Sequence, residues 1–225
     1  MEKSLADSLN DIFNRLLEHF GELHWWPADS PFEVVVGAIL TQNTNWRNVE
    51  MAIAALKEEM SLTARNLLGI ERQRLETLIR PAGFFRQKAE RLQLFAAHLM
   101  TCHAGDLSAM LAGSLSEARE ELLQCKGVGP ETADSILLYA GGRPSFVVDA
   151  YTRRLLSRLG LLNGRESYGQ IRELFMTHLP HNSDLFNEYH ALIVEQCKQY
   201  CRVKPLCSEC PLQTDCVAVR SGNFS

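Results

Sequence analysis

Two groups of residues in this 225-residue chain have the types and spacing to do chemistry. The first is Cys201, Cys207, Cys210 and Cys216, a C-x5-C-x2-C-x5-C pattern within sixteen residues, with Pro205 and Pro211 setting turns. Four thiolates so close together suit a tetrahedral zinc ion or a [4Fe–4S] cluster, and spacing alone does not separate the two. Cys197, one helical turn before Cys201, is either a substitute ligand or a plain helix residue. The second group lies in Cys125–Ala150. A glycine-bearing turn, Lys126-Gly127-Val128-Gly129, leads into Pro130, a residue favoured at the first helical position. Unpaired N–H groups at such a helix start suit a phosphate, with Lys126 beside them and the Glu131 carboxylate competing for the same field. Further on, Phe146-Val147-Val148 delivers Asp149, the only acid between Asp134 and Glu166.

The elements that must hold these groups are helical. Apolar residues make up 46% of the chain, enough for a core. Leu5, Leu9, Ile12, Phe13, Leu16, Leu17 and Phe20 recur at helical spacing over residues 4–20. Ser30 and Glu33 form a capping box around Pro31, opening a helix to about Leu40 that is apolar on nearly every face and therefore central. Gln42-Asn43-Thr44-Asn45 ends it and caps the next. Further helices are predicted over 62–69, 71–80, 85–101, 105–112, 116–125, 130–140 and 150–159, then from Ser167 to Leu179 and over 184–200. Only Phe146–Val148 hints at a strand. The reading is all-α.

Composition narrows the function. Net charge is −4, which argues against nonspecific coating of nucleic acid through bulk charge. Locally, residues 1–69 carry 5 basic and 10 acidic groups, whereas 70–91 carry 6 and 3, so Arg72, Arg74, Arg80, Arg86, Lys88 and Arg91 are available to phosphates. The apolar run Val34–Leu40 is too short to span a bilayer, and MEKSLADS lacks a signal-peptide pattern, so a cytoplasmic, non-membrane protein is expected. Five of seven cysteines fall in the last thirty residues, which fits metal binding better than a disulfide framework in that compartment.

Leu123–Ala133, Val147-Val148-Asp149 and the cysteine cluster together resemble the endonuclease III superfamily of DNA glycosylases. Ile39–Thr44 resembles the family segment that ends in a DNA-probing glutamine, and Gly83-Phe84-Phe85 with Gln87-Lys88-Ala89 resembles another family turn. The resemblance implies a six-helix barrel (30–145) containing the helix–hairpin–helix, and a discontinuous helical domain (1–29 plus 146–225) with a cluster loop (201–216). DNA with a damaged base would lie across the cleft of a monomer. It further implies that Cys201, Cys207, Cys210 and Cys216 hold [4Fe–4S], with zinc as the alternative, and that Asp149 is the catalytic aspartate. Gln42 would fill the gap in the duplex, with Asn43 nearby. Lys126, Gly127, Val128, Gly129 and Glu131 would meet the DNA backbone at the hairpin, whose carbonyls could also take a monovalent cation. Arg202 and Lys204 would meet it from the cluster loop.

Two departures from the family pattern carry weight. The first cysteine spacing is one residue short. More importantly, Glu131 stands where bifunctional members carry a lysine that attacks the sugar, and glutamate cannot form an imine. Trp25-Trp26-Pro27 is similar to the aromatic base pocket of the bacterial 3-methyladenine glycosylases. The expectation is a monofunctional glycosylase acting on an alkylated purine. Its alternatives are a bifunctional glycosylase/lyase working through Lys126 on oxidised pyrimidines, and a non-catalytic iron–sulfur DNA-binding protein.

Overall fold

The computed structural model describes every residue except Met1, Glu2, His24, Trp25, Pro27, Asn223 and Ser225. It is helical throughout, without a strand among the described residues, and divides into two compact units, Trp26–Arg143 and Met1–Trp25 with Pro144–Ser225. No helix among the described residues is long and apolar enough to cross a membrane.

The continuous unit is built around α2 (Pro31–Leu40), with every residue from Glu33 to Leu40 buried. Ser30 caps it by accepting from the Glu33 N–H at 3.2 Å. The expected capping box is only half formed. Glu33 turns instead to the Asp29 N–H and to Lys57, which brings its buried carboxylate a cation. The unit continues with α3 (Trp46–Glu59), α4 (Ala64–Gly69), α5 (Arg72–Leu78), α6 (Phe85–His103), α7 (Leu107–Met110), α8 (Leu115–Gln124) and α9 (Pro130–Ser135), of which α3, α6 and α9 pack on α2. The chain continues from α9 through one wide turn, Ile136–Ala140, in which Gly141 N–H donates to the Ile136 carbonyl at 3.0 Å, five residues back. Such wide turns are uncommon and concentrate near functional sites.

Lys88 corrects the charge reading. Its side chain is buried, and Nζ donates to the carbonyls of Leu40 (2.8 Å) and Ala82 (2.7 Å), so it ends α2 from within the core and meets no phosphate. Burial first, and Arg91 second, push its pKa down to about 8.

The discontinuous unit packs α1 (Leu5–Phe20) against α11 (Tyr168–His178) and α12 (Ser183–Gln199), with α10 (Ala150–Leu159) against α12 and the short α13 (Val217–Ser221) against α10. Leu9, Ile12 and Leu16 form the buried stripe of α1. The Phe146–Val148 run is extended and buried but pairs with no strand. Phe146 instead stacks on Phe175 at 3.5 Å and meets Phe186 edge-on, so aromatic packing rather than a ladder fixes the chain entering Asp149.

Candidate DNA-repair site

In the discontinuous unit, Asp149 is the N-cap of α10. One carboxylate oxygen accepts from the Thr152 N–H (2.8 Å) and hydroxyl (3.0 Å), and the other lies 3.6 Å from His190 Nε2 on α12. Burial works to raise the Asp149 pKa, but His190 and the Thr152 bonds outweigh it and hold the carboxyl below its ordinary range. The group is therefore an anion at neutral pH, suited to stabilising a developing cation rather than to donating a proton. Sequence reasoning missed His190. A lone histidine amid Tyr189, Ala191, Leu192 and Ile193 reads as an ordinary core residue, and no spacing ties it to Asp149.

The same two helices feed the cysteine loop. Arg154 Nε of α10 donates to the Cys201 carbonyl at 2.7 Å. Arg158, also on α10, donates to the carbonyls of Arg202 (2.6 Å), Val203 (3.3 Å) and Phe224 (2.9 Å), and to the Cys201 sulfur at 3.4 Å. From α12, Gln196 Nε2 donates to the Cys210 sulfur at 3.0 Å. Arg202 and Lys204 are exposed on this loop, beside Val203 at 80% exposure.

Cys201, Cys207, Cys210 and Cys216 line one recess, and Cys197 is not part of its wall. The Cys197 thiol donates to the Tyr151 carbonyl at 3.5 Å. The neighbouring Cys197, and after it Arg158, draw the Cys201 thiol below its ordinary pKa against its burial. Among the described residues no three of the four sulfurs lie within 4.8 Å of one another. A tetrahedral zinc with Zn–S near 2.3 Å would draw them to about 3.8 Å. Arg158 lines the same recess, and its Nε is buried without a hydrogen-bond partner among the described residues. Four thiols around one recess, with N–H donors from Arg158 and Gln196 beside them, fit a thiolate-ligated metal centre.

In the continuous unit, the hairpin joins α8 to α9. Gly127 has φ +88°, the left-handed region that glycine adopts freely, and a Cβ there would meet the Arg91 side chain at 2.4 Å. Gly129 opens α9 with no side chain over the helix start, and Glu131 is exposed in the first turn. Lys126 is paired with Glu90 at 2.6 Å. Val128 has its side chain buried in the core, so it presents only backbone at the hairpin surface. Two turn carbonyls are already engaged, Cys125 by the Val128 N–H and Gly127 by Gln42, so a monovalent cation would have to share them.

Gln42 is committed to this hairpin. Its Nε2 donates to the Gly127 carbonyl and the Thr132 hydroxyl, both at 2.9 Å, and its Oε1 accepts from Arg91. Insertion into a duplex would break all three bonds. Asn43 beside it is exposed with φ +55°, a conformation asparagine tolerates better than most residues. Gly127→Ala should therefore cost about 1–3 kcal/mol, from the left-handed backbone and the displaced Arg91. Urea denaturation checks this, and a midpoint equal to wild type would show that the turn relaxes without cost.

Trp25 and Pro27 lie outside the described residues. Trp26 is half-buried, stacks on Tyr139 of the wide turn (4.7 Å, 24°) and meets Trp46 edge-on at 5.1 Å. Both indoles lie over Gly37 of α2, where a Cβ would meet them at ordinary contact distances of 3.4–3.6 Å. Sequence reasoning found Trp26 but not Trp46 or Tyr139, which reach it only through the fold.

Residues 36–181 match the family described as HhH-GPD superfamily base excision DNA repair protein. The chain belongs to that superfamily. A Methanocaldococcus jannaschii protein, whose naming as a DNA repair glycosylase is itself inferred, is 46% identical over 97% of this chain and all of its own. Among solved structures, a Helicobacter pylori 3-methyladenine DNA glycosylase bound to 1,N6-ethenoadenine is 27% identical, with a TM-score of 0.74 over 88% of this chain and 98% of its own. An endonuclease III trapped covalently on DNA has a TM-score of 0.85 over 99% of both chains, at 23% identity, a likeness of fold alone.

Proposed function

We propose that this base excision repair glycosylase is monofunctional, hydrolysing the N-glycosidic bond of an alkylated purine and leaving an abasic site. The observation that carries the reading is Glu131 at the second position of α9, where a lyase would need an amine. A carboxylate attacks no sugar aldehyde to give an imine, and the nearest lysine in the chain, Lys126, is paired with Glu90.

The mechanism follows from the ionised Asp149. Cleavage of the glycosidic bond leaves an oxocarbenium-like sugar, which a fixed carboxylate stabilises while it also orients and activates water. Thr152 and His190 hold that carboxylate in place and in its charged form. The target base must leave the stack, with the lost stacking recovered from protein contacts. Trp26, with Tyr139 and Trp46 behind it, supports an aromatic surface for that base, and an aromatic face attracts the positive charge of an alkylated purine. The hairpin around Gly127 and Gly129 would take a phosphate. Cys201, Cys207, Cys210 and Cys216 would hold [4Fe–4S], which when bound supplies a covalent anchor for the loop presenting Arg202 and Lys204.

Borohydride trapping on abasic DNA tests the central point. No covalent adduct is expected, while single-lesion duplexes carrying alkylated purines should release base and break only after alkali. An adduct lost in Lys126→Ala would overturn the reading in favour of a lyase. Failure to release any damaged base would favour a non-catalytic DNA binder.

A further inference from the structure

Within the continuous unit, three ligand-type side chains converge between α6 and α8. His98 and His103 come from the last turns of α6, and Glu121 from the second half of α8. His98 Nε2 lies 2.9 Å and His103 Nε2 2.5 Å from the same oxygen, Glu121 Oε1, and all three ligand atoms fall within 4.8 Å of one another. We propose that His98, His103 and Glu121 form a binding site for one divalent transition-metal ion, with zinc the best match to the donor set.

The chemistry of the three groups supports this. Two imidazoles and a carboxylate are a familiar zinc set, with room for water as the fourth ligand. Metal–ligand distances of about 2.0–2.2 Å place tetrahedral ligands roughly 3.3 Å apart, so each imidazole needs to move from the Glu121 oxygen by less than about 1 Å. Side-chain exposures of 28%, 18% and 28% give an ion a route in and leave a face for that water. The second nitrogen of His98 already has a neighbour, the Cys102 sulfur at 3.8 Å from Nδ1, which would fix the ring with Nε2 toward the ion. Both imidazoles meet one carboxylate oxygen, which can accept from each, and an ion would engage all three groups directly. Because α8 runs directly into Cys125 and the hairpin, an ion here would brace the helix that presents that turn.

The experiment uses cluster-loaded, chelator-washed protein titrated calorimetrically with zinc chloride, with iron measured before and after. About one equivalent of zinc should bind with iron unchanged, and zinc should raise the melting temperature. His103→Gln and Glu121→Gln, each retaining a polar side chain, should weaken binding about tenfold or more and abolish the thermal shift. Three results would overturn the site: no zinc bound, zinc bound only as iron is lost, or wild-type binding in both variants.

Discussion

Asp149→Asn leaves a protein that still binds lesion-containing DNA but releases base about 10²- to 10⁴-fold more slowly in a single turnover. Asparagine suits the test because it remains a good N-cap and can keep the bond from the Thr152 N–H, so α10 stays formed while the charge is lost. Asp149→Ala removes cap and charge together and should cost about 1 kcal/mol of stability in addition. The pH dependence follows from the same contacts. A carboxyl held below its unfolded value of about 3.9 contributes stability above that value and loses it as pH falls through the lower folded pKa. The acid limb of base release should therefore lie below the ordinary carboxylate range. In His190→Gln the burial of Asp149 persists without the group that most opposes it, so the limb moves upward. Unchanged release in Asp149→Asn would remove this residue from the chemistry, and an unmoved limb in His190→Gln would remove His190 from tuning it.

The other large effect is expected at the cysteine loop. Between Arg202 and Cys216 only Leu212 is buried, and the backbone makes short turns at Cys207–Glu209 and Gln213–Asp215. So little apolar burial cannot by itself hold fifteen residues in one conformation, given roughly 1–2 kcal/mol of ordering entropy per residue. Arg154, Arg158 and Gln196 hold part of the loop, and on the proposed reading ligation would supply the rest. Cys210→Ser should lose the visible absorption of an iron–sulfur centre and open the loop to proteolysis. DNA affinity should fall with it, and the slope of log affinity against log salt should drop by about two units as Arg202 and Lys204 lose their positions. Visible absorption retained in Cys210→Ser would exclude that cysteine as a ligand. Intact DNA binding after loss of the absorption would show that the loop does not need the cluster.

Much of the helical layout is legible in the residues themselves. The unbroken apolar face of Pro31–Leu40 leaves no position for it but the centre, and the caps at Ser30, Asn45 and Ser167 mark their helices correctly. Asp149 stands out in sequence because its neighbourhood holds no other acid. What sequence does not reveal is how side chains are spent. Gln42 reads as the side chain that enters the duplex and is bound on three sides within the protein, while Lys88 reads as a cation available to phosphates and is buried beneath two carbonyls. His190, Arg154 and Arg158 look like ordinary helix residues because their partners lie 41 to 66 positions away or on another element. Such roles arise from tertiary contact and leave no periodic trace.

The three bonds on Gln42 also bear on selectivity. At about 0.5–1.5 kcal/mol each, they set a threshold of roughly 1.5–4.5 kcal/mol before the amide leaves the hairpin. Were Gln42 the side chain that fills the gap left by an extruded base, a sound base pair would offer nothing to return that energy, and the side chain would stay folded back on the hairpin. A weakened stack would lower the threshold from the DNA side. On that proposal the latch would discriminate between intact and damaged duplex before the pocket does, and loosening it through Arg91 would make the search less discriminating.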